Sequence, residues 1–226
     1  MMSSAARVAL YYAPLPDDPL TALGSSWLGR DPTTNAPVPQ PAMHGIAEIT
    51  AEPRIYGFHA TLKPPMLLVG DWAEFMAAVR ATAARIAPFD LPPLAVADLR
   101  GFLALRETSP CPALEALADA CVVHLDPFRG SPSEDELVRR RKAGLTDEQE
   151  AMLTRWGYPY VLGTWFFHMT LTRRLSDAEK SAVLPAAEAW FRPALTFSRR
   201  VEDICVFTQA KPGAAFTLAE RAWLGG

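Results

Sequence analysis

Hydrophobic and polar positions follow two different periods along this chain, and together they predict a mixture of helices and strands. In the segment 71–87, apolar side chains recur every three or four residues, which places them on one face of an amphipathic helix. Segments rich in Val, Leu, Tyr and Phe and bounded by proline or glycine favour strands. The predicted strands cover 7–13, 57–62, 94–99, 101–106, 165–172, 195–200 and 202–208, and a strand or short helix is expected between 215 and 223. The sequence therefore predicts an α+β fold.

Three helix starts carry the pattern of a capping box, in which the side chains of the N-cap residue and of the residue three positions later bond each other's backbone amides. The pairs are Ser133 with Glu136, Thr146 with Gln149, and Ser176 with Glu179. The first two pairs predict helices near 134–143 and 147–156, and the third predicts a helix after Ser176. A further helix is expected at 113–125. The proline-rich segment 14–53 is expected to form long loops with one short helix.

One short pattern occurs twice, about 109 residues apart. Residues 56–62 read YGFHATL, and residues 165–171 read WFFHMTL. Each copy is followed by a loop, a helix, a proline and two predicted strands, which indicates two related lobes. We therefore expect one bilobal domain over residues 1–226, with a helical insertion at about 107–160 between the two motifs.

The two His-x-Thr motifs suggest a chemistry because side chains alternate between the two faces of a strand. His59 and Thr61 then share the face opposite the core, and so do His168 and Thr170. If the lobes face each other, two imidazoles and two hydroxyls converge on one cleft. A neutral histidine can accept a proton from water while a protonated one donates to the leaving oxygen, and threonine hydroxyls can bond phosphate oxygens. We predict that these four residues catalyse phosphodiester cleavage.

Other candidates for substrate binding flank the motifs. By the same alternation Lys63 is expected to face the cleft, where it either contacts phosphate or ends the strand in solvent. One of Tyr11 and Tyr12 on the first strand is expected to line the cleft. Alternation alone does not decide between the two tyrosines, and Tyr12 is taken as the candidate.

A run of three arginines, Arg139, Arg140 and Arg141, lies in the last turn of a predicted helix. Cations at that end complement the helix dipole, so a solvated helix end is the simplest interpretation. The alternative is that at least one of these arginines binds a remote phosphate group, since guanidinium presents paired planar donors to phosphate.

Charge and composition narrow the class of protein. The 226 residues have a formal net charge of −3, so a broad basic surface for long nucleic acid is not expected. No run of about 18 apolar residues is present, and the N-terminal segment lacks the apolar region of a signal peptide, which favours a cytoplasmic protein without membrane spans. Three scattered cysteines and the lack of ligand-spaced His and carboxylate clusters favour neither disulfides nor a metal, and no cofactor is expected.

The paired His-x-Thr motifs resemble those of the two-histidine (2H) phosphoesterase superfamily. The segments 10–14, 57–65, 139–146 and 155–160 are similar to a branch associated with bacterial phosphonate-utilisation (carbon–phosphorus lyase) operons. The resemblance implies a pseudo-twofold fold in which two antiparallel sheets flank a central cleft with helices outside.

The same resemblance implies an activity. It indicates a metal-independent cyclic phosphodiesterase that acts on a small phosphorylated sugar or nucleotide, such as a phosphoribosyl 1,2-cyclic phosphate. The alternatives are an RNA 2′,3′-cyclic phosphodiesterase and a non-catalytic protein that binds phosphosugars or nucleotides.

Overall fold

Nine strands and eight α-helices make up the fold of the chain in the computed structural model, which describes residues 7–142 and 144–225. The strands are β1 (Arg7–Tyr12), β2 (Ala60–Leu67), β3 (Phe89–Leu91), β4 (Leu94–Asp98), β5 (Leu103–Glu107), β6 (Met169–Thr170), β7 (Arg199–Val201), β8 (Asp203–Gln209) and β9 (Thr217–Trp223). The helices are α1 (Pro19–Leu28), α2 (Ile46–Ile49), α3 (Ala51–Tyr56), α4 (Trp72–Ala83), α5 (Pro112–His124), α6 (Glu134–Arg141), α7 (Asp147–Trp156) and α8 (Asp177–Leu195).

The strands form two antiparallel sheets, which confirms the predicted α+β class. The larger sheet has seven strands in the order β4-β5-β6-β2-β1-β8-β9, and β3 pairs with β7 in the smaller one. The two strands that carry the His-x-Thr motifs, β2 and β6, are neighbours near the middle of the larger sheet. The fold therefore brings segments 109 residues apart in sequence to one place.

The main hydrophobic core lies on one face of the large sheet. The inward residues of both motifs belong to it, with Phe58 and Phe167 almost completely buried, and the helices α1, α4, α5 and α8 contribute apolar side chains to the same cluster. The opposite face of β1 and β8 carries a smaller apolar cluster that includes Tyr11 and Phe207. Two-sided burial explains why β1 is apolar at nearly every position, since both of its faces are covered.

The segment 14–53 is more helical than expected. Helix α1 begins at Pro19 behind an N-cap aspartate, Asp18, whose carboxylate accepts the amide hydrogen of Leu20 at 2.8 Å, and it ends at Gly29 in the left-handed conformation. Both are standard helix start and stop signals. The expectation of one short helix was therefore too low, because the prolines obscured these two signals, whereas residues 29–45 do form a long loop.

The short strand β3 was not predicted, and most other differences concern where elements begin and end. Strand β2 starts three residues late and continues through Pro64 and Pro65, β6 is only two residues long, and α8 runs through Pro185 and Pro193 as far as Leu195. The capping boxes at Thr146 and Ser176 are both present, and the Ser133 hydroxyl accepts the amide of Glu136. The helix predicted at 134–143 ends at Arg141, and residue 143 lies outside the described residues.

Candidate active site

The two motifs are related by a local twofold at the centre of the sheet. Ala60, the middle residue of the first His-x-Thr, pairs with Met169, the middle residue of the second, on antiparallel strands. One step along this register in either direction places Thr61 across from His168 and His59 across from Thr170. Both histidines and both threonines therefore project from the same face of the sheet, opposite the main core.

The two imidazoles make the same local hydrogen bond. His59 Nδ1 lies 2.9 Å from the carbonyl oxygen of Gly57, and His168 Nδ1 lies 3.1 Å from that of Phe166, in each case two residues earlier in the chain. A carbonyl oxygen only accepts, so Nδ1 carries the hydrogen and Nε2 of the neutral ring keeps its lone pair. Nε2 of His59 lies 3.2 Å from the hydroxyl oxygen of Thr61, which can donate to it.

Aromatic rings hold each imidazole. The ring of His59 stacks on that of Tyr11 with 3.6 Å between centroids, and the ring of His168 stacks on that of Phe166 with 4.7 Å between centroids. Trp165 adds a direct tie between the motifs, because its indole nitrogen donates to the carbonyl oxygen of Thr61 at 2.8 Å. These contacts fix the orientation of both rings before any substrate binds.

Burial favours the neutral form of both histidines. The pKa of His59 is lowered from 6.5 to about 4, mainly by desolvation and also by the nearby His168, against the opposing effect of the Gly57 carbonyl. Desolvation also lowers the pKa of His168; the Phe166 carbonyl opposes this, and the neighbouring Arg106 adds to it. At neutral pH both imidazoles are therefore neutral, and each Nε2 has a lone pair that can accept a proton.

A cavity of about 690 Å³ opens on this face of the sheet. Thr61 and His168 line it from the motifs, Phe102 and Phe166 supply apolar surface, and Tyr158 and Tyr160 come from the segment that follows α7. The predicted insertion thus forms part of the wall. The volume falls in the range typical of small-molecule sites.

Lys63 does not face this cavity, in contrast to the expectation. Its side chain is 2% exposed, and its Nζ donates to the carbonyl oxygen of Val122 in α5 at 2.9 Å. The pairing of β1 with β2 slips between Leu10 and Tyr11, so that Leu10 pairs with Lys63 while Tyr11 pairs with Thr61. This irregularity breaks the alternation of side chains, and Lys63 therefore lies on the same side of the sheet as Leu10.

The two tyrosines of β1 lie on the opposite faces from those expected, since Tyr12 was the residue expected to line the cleft. Tyr12 pairs with Ala60 and packs against Phe167 in the core, 5.9 Å between ring centroids. Tyr11 is the one on the histidine face, where it is fully buried under His59, and its hydroxyl has no hydrogen-bond partner in the part of the chain that the structure describes. Tyr12 is thus too deeply buried to contact a ligand in the cavity.

The arginine run is engaged mainly with its own surroundings. Arg139 is largely exposed, and Arg141 forms an ion pair with Glu150 at 2.7 Å. Arg140 bonds Glu136 at 2.7 Å and lies over the ring of Tyr158, 4.3 Å from its centroid. None of the three is among the described residues that line the cavity, so the interpretation as a solvated helix end fits Arg139 and Arg141. Arg140 differs because it packs on Tyr158, which does line the cavity.

Sequence reasoning missed the arginines that do line the cavity, which are Arg100, Arg106 and Arg174. Arg106 could be found only through the pairing of β5 with β6. Leu105 pairs with Met169 and Ala104 with Thr170, so the next position places Arg106 beside His168. A lone arginine at the end of the apolar run Leu103–Leu105 was the available signal, but its meaning depends on a register that the sequence does not display.

Residues 7–142 and 144–225 are the described part of the chain. They contain no group of three or more His, Cys, Asp or Glu side chains placed to hold a metal ion. Over the same residues, no helix is long and apolar enough to cross a bilayer.

The fold and the site define an α+β protein whose central antiparallel sheet brings two His-x-Thr motifs together beside a cavity. The chain belongs to the family described as "Protein of unknown function (DUF1045)", whose model matches residues 61–217. The match covers the second motif completely and begins at Thr61 in the first. It agrees with the resemblance to a little-characterised branch that the sequence suggested.

Curated relatives share this region as part of a longer chain. A protein of Janthinobacterium sp. (strain Marseille) named "Ribose 1,5-bisphosphate phosphokinase PhnN" is 38% identical over 99% of this chain and 52% of its own length. A protein of the same name from Laribacter hongkongensis (strain HLHK9) is 38% identical over 96% of this chain and 52% of its own. The chain thus spans about half the length of these relatives.

Solved structures with low sequence identity show some similarity of shape. Apo E. coli LigT is 15% identical with a TM-score of 0.48, covering 99% of this chain and 100% of that one. E. coli LigT complexed with 3′-AMP is 14% identical with a TM-score of 0.44, covering 98% and 99%.

Proposed function

We propose that the protein is a metal-independent cyclic phosphodiesterase that opens the cyclic phosphate of a small phosphorylated sugar. The observation that carries the proposal is the local twofold that sets two His-Thr pairs on one face of the sheet, each with its imidazole held through Nδ1 and with Thr61 and His168 at the cavity wall. An acid and a base on two sides of one group is the arrangement that cleavage of a phosphodiester by water requires.

The two imidazoles divide the proton transfers. Nε2 of the neutral histidine takes a proton from water as the water oxygen bonds to phosphorus, and Nε2–H of the protonated histidine gives its proton to the sugar oxygen as the phosphorus–oxygen bond breaks. The product is a phosphomonoester with one free sugar hydroxyl. The hydroxyls of Thr61 and Thr170 donate to the non-bridging phosphate oxygens, where negative charge builds up in the transition state.

Binding of the anionic substrate favours the protonated form of one histidine. In the protein alone both histidines have a lowered pKa, and that of His59 is about 4. An anionic phosphate between the rings favours the imidazolium form and raises the pKa of one of them. Binding of the phosphate is therefore coupled to uptake of a proton, and the general acid, an imidazolium, forms when the phosphate binds.

The name of the longer relatives supports a sugar phosphate as the substrate. Opening a 5-phosphoribosyl 1,2-cyclic phosphate at the bond to O2 leaves ribose 1,5-bisphosphate, the compound in that name. The present 226 residues contain no Gly-Lys pair and hence no G-x-x-x-x-G-K-[ST] loop of the kind that binds nucleotide phosphates in many kinases. We infer that this region makes the sugar phosphate on which a kinase acts.

The test is an assay of the purified protein with EDTA against a panel of cyclic phosphates that includes ribose 1,2-cyclic phosphates and an RNA 2′,3′-cyclic phosphate. Wild type should open the ribose 1,2-cyclic phosphates with a bell-shaped pH–rate profile. His59→Ala and His168→Ala should each lower turnover by about 10²- to 10⁴-fold, the usual share of one positioned acid or base. The double variant should lose far less than the product of the two, because the pair acts as a unit.

The matched control is His44→Ala, since His44 is exposed in a loop outside the cavity. It should keep full activity. Wild-type protein that opens none of the cyclic phosphates would contradict the proposal, and so would full activity in either single active-site variant. Preference for the RNA end over the sugar phosphates would move the substrate to the RNA class.

A further inference from the structure

The cavity beside the motifs carries an excess of positive charge. Arg100, Arg106 and Arg174 line it, against one acidic side chain, Glu148. In a cyclic phosphate that also carries a terminal phosphate, the two His-Thr pairs would hold the cyclic diester, which is a monoanion, and the terminal monoester would remain as a second, more highly charged group. The excess charge is therefore suited to a second phosphate.

Arg106 lies on β5, the strand that pairs with the second motif. Its position on β5 is the next one after the Leu105–Met169 pair, which places it beside His168 and on the same face of the sheet. Neighbouring strands lie about 4.8 Å apart, so the backbone of Arg106 is about one strand from His168 and about two strands from Thr61. This offset matches a group several ångströms from the phosphorus that is held between the histidines.

The guanidinium of Arg106 is only weakly paired within the protein. Its nearest carboxylate contact is Nη2 to Glu107 Oε1 at 3.4 Å, and its Nε is buried without a hydrogen-bond partner among the described residues. It lies 5.7 Å from the ring centroid of Phe166, the ring that also stacks on His168. An arginine that lies near an aromatic ring and makes only one long contact to a carboxylate keeps donors for an oxyanion.

The other side of the site differs at the corresponding position. Across β1 and β2, Tyr12 pairs with Ala60, so the position beside His59 is Ala13. Ala13 therefore occupies, next to His59, the place that Arg106 occupies next to His168. The arginine nearest to Ala13 is engaged by the protein, since Arg221 donates to the Ala13 carbonyl oxygen at 3.2 Å and forms an ion pair with Asp203 at 2.8 Å. The local twofold thus applies to the two motifs but not to the flanking positions.

We propose that Arg106 binds the terminal phosphate of a doubly phosphorylated sugar, with Arg100 and Arg174 adding to the positive field of the cavity. This inference rests on the proposed function and names the group that selects its substrate. It also fixes the direction in which the sugar lies, with its phosphorylated end toward β5 and away from Ala13.

The experiment compares substrates and ligands with and without the terminal phosphate in wild type, Arg106→Gln and the control Arg139→Gln. Arg139 is chosen because its side chain is 70% exposed and lies outside the cavity lining. For ribose 1,2-cyclic phosphate with a 5-phosphate, Arg106→Gln should lower kcat/KM about 10- to 100-fold, the scale of a charge-assisted hydrogen bond. For the same sugar without the 5-phosphate, the change should be small.

The ratio of the two losses is the deciding quantity. Arg106 also lowers the pKa of His168, and removing it alters the activity on both substrates alike, whereas loss of a phosphate contact alters only one. Equal losses on both substrates, or none on either, would overturn the inference and leave the proposed function intact.

A calorimetric measurement separates the inference from the activity. Ribose 1,5-bisphosphate and ribose 1-phosphate are titrated into the same three proteins. Tighter binding of the bisphosphate that is lost in Arg106→Gln and kept in Arg139→Gln would support the subsite even if wild type hydrolyses nothing. Equal affinity of wild type for the two ligands, or no binding of either, would overturn it.

Discussion

Lowering the pH should destabilise this protein through His59, and the size of the effect follows from the burial of its ring. The pKa of His59 is about 4 in the folded chain and 6.5 in its ordinary state, mainly because burial disfavours the imidazolium and also because His168 lies nearby. Below pH 6.5 the unfolded chain binds a proton at this residue that the folded chain does not. The free energy of unfolding therefore falls as the pH falls from about 6.5 to about 4.

The shift sets an upper bound on the loss. A difference of 2.5 pKa units at about 1.36 kcal/mol per unit corresponds to about 3 kcal/mol, all of it lost by pH 4 and none of it at pH 8. His168 changes stability in the same direction, because burial lowers its pKa as well. Against a typical total stability of about 5–15 kcal/mol, such a loss is large.

The assay is urea unfolding of wild type and His59→Asn at a series of pH values between 8 and 4. Asparagine can still donate a hydrogen bond to the Gly57 carbonyl but does not titrate. The difference in unfolding free energy between the two proteins should change by up to about 3 kcal/mol across this range, in favour of the variant at low pH. His44→Asn is the control and should follow wild type. A His59→Asn protein with the same pH dependence as wild type would refute the reasoning.

Three further predictions test other parts of the structure. Gly24→Ala should lower the unfolding free energy by about 1–3 kcal/mol in urea titrations, since a Cβ at this position would lie 2.2 Å from the Phe58 ring. The control Ala22→Ser, on the exposed side of the same helix, should leave the unfolding free energy unchanged. Lys63→Met should lower the unfolding free energy by about 1–3 kcal/mol, because it leaves the Val122 carbonyl oxygen unpaired. The kcat/KM of this variant should stay near that of wild type. A selective loss of substrate affinity would show instead that Lys63 contacts the substrate. Binding of inorganic phosphate at pH 6 should take up close to one proton, measured by calorimetry in buffers of different ionisation heat, and zero uptake would contradict the coupling of phosphate to a histidine.

The placement of the two His-Thr pairs on one face of the sheet could be predicted from the sequence because the motif is local. A His-x-Thr pattern on an apolar strand places both polar side chains on one face whatever the rest of the fold does, and the repeat of the pattern indicated a pair. The structure puts His59 and His168 on the same face of the sheet, with His168 lining the cavity and His59 bonded to Thr61, which also lines it. Their catalytic role remains a prediction for the experiments above.

The failures come from features that local alternation does not contain. One slip in the pairing of β1 with β2 moved Lys63 to the core side and made Tyr11, rather than Tyr12, the neighbour of His59. Arg106 gained its position only through the register of β5 against β6, which forms between distant segments. In the first segment, Asp18 and Gly29 carried a helix signal that the surrounding prolines obscured.

The pairing of Ala60 with Met169 has a consequence for the regiochemistry of the proposed reaction. Because the local twofold gives each side of the site one His-Thr pair, the two motifs do not by themselves decide which of the two ester oxygens of a cyclic phosphate departs. That choice falls to the flanking positions, where Arg106 stands on one side and Ala13 on the other. Under the proposed function, an enzyme of this design would change its product from one phosphate isomer to the other through substitutions beside the histidines, with both motifs left intact.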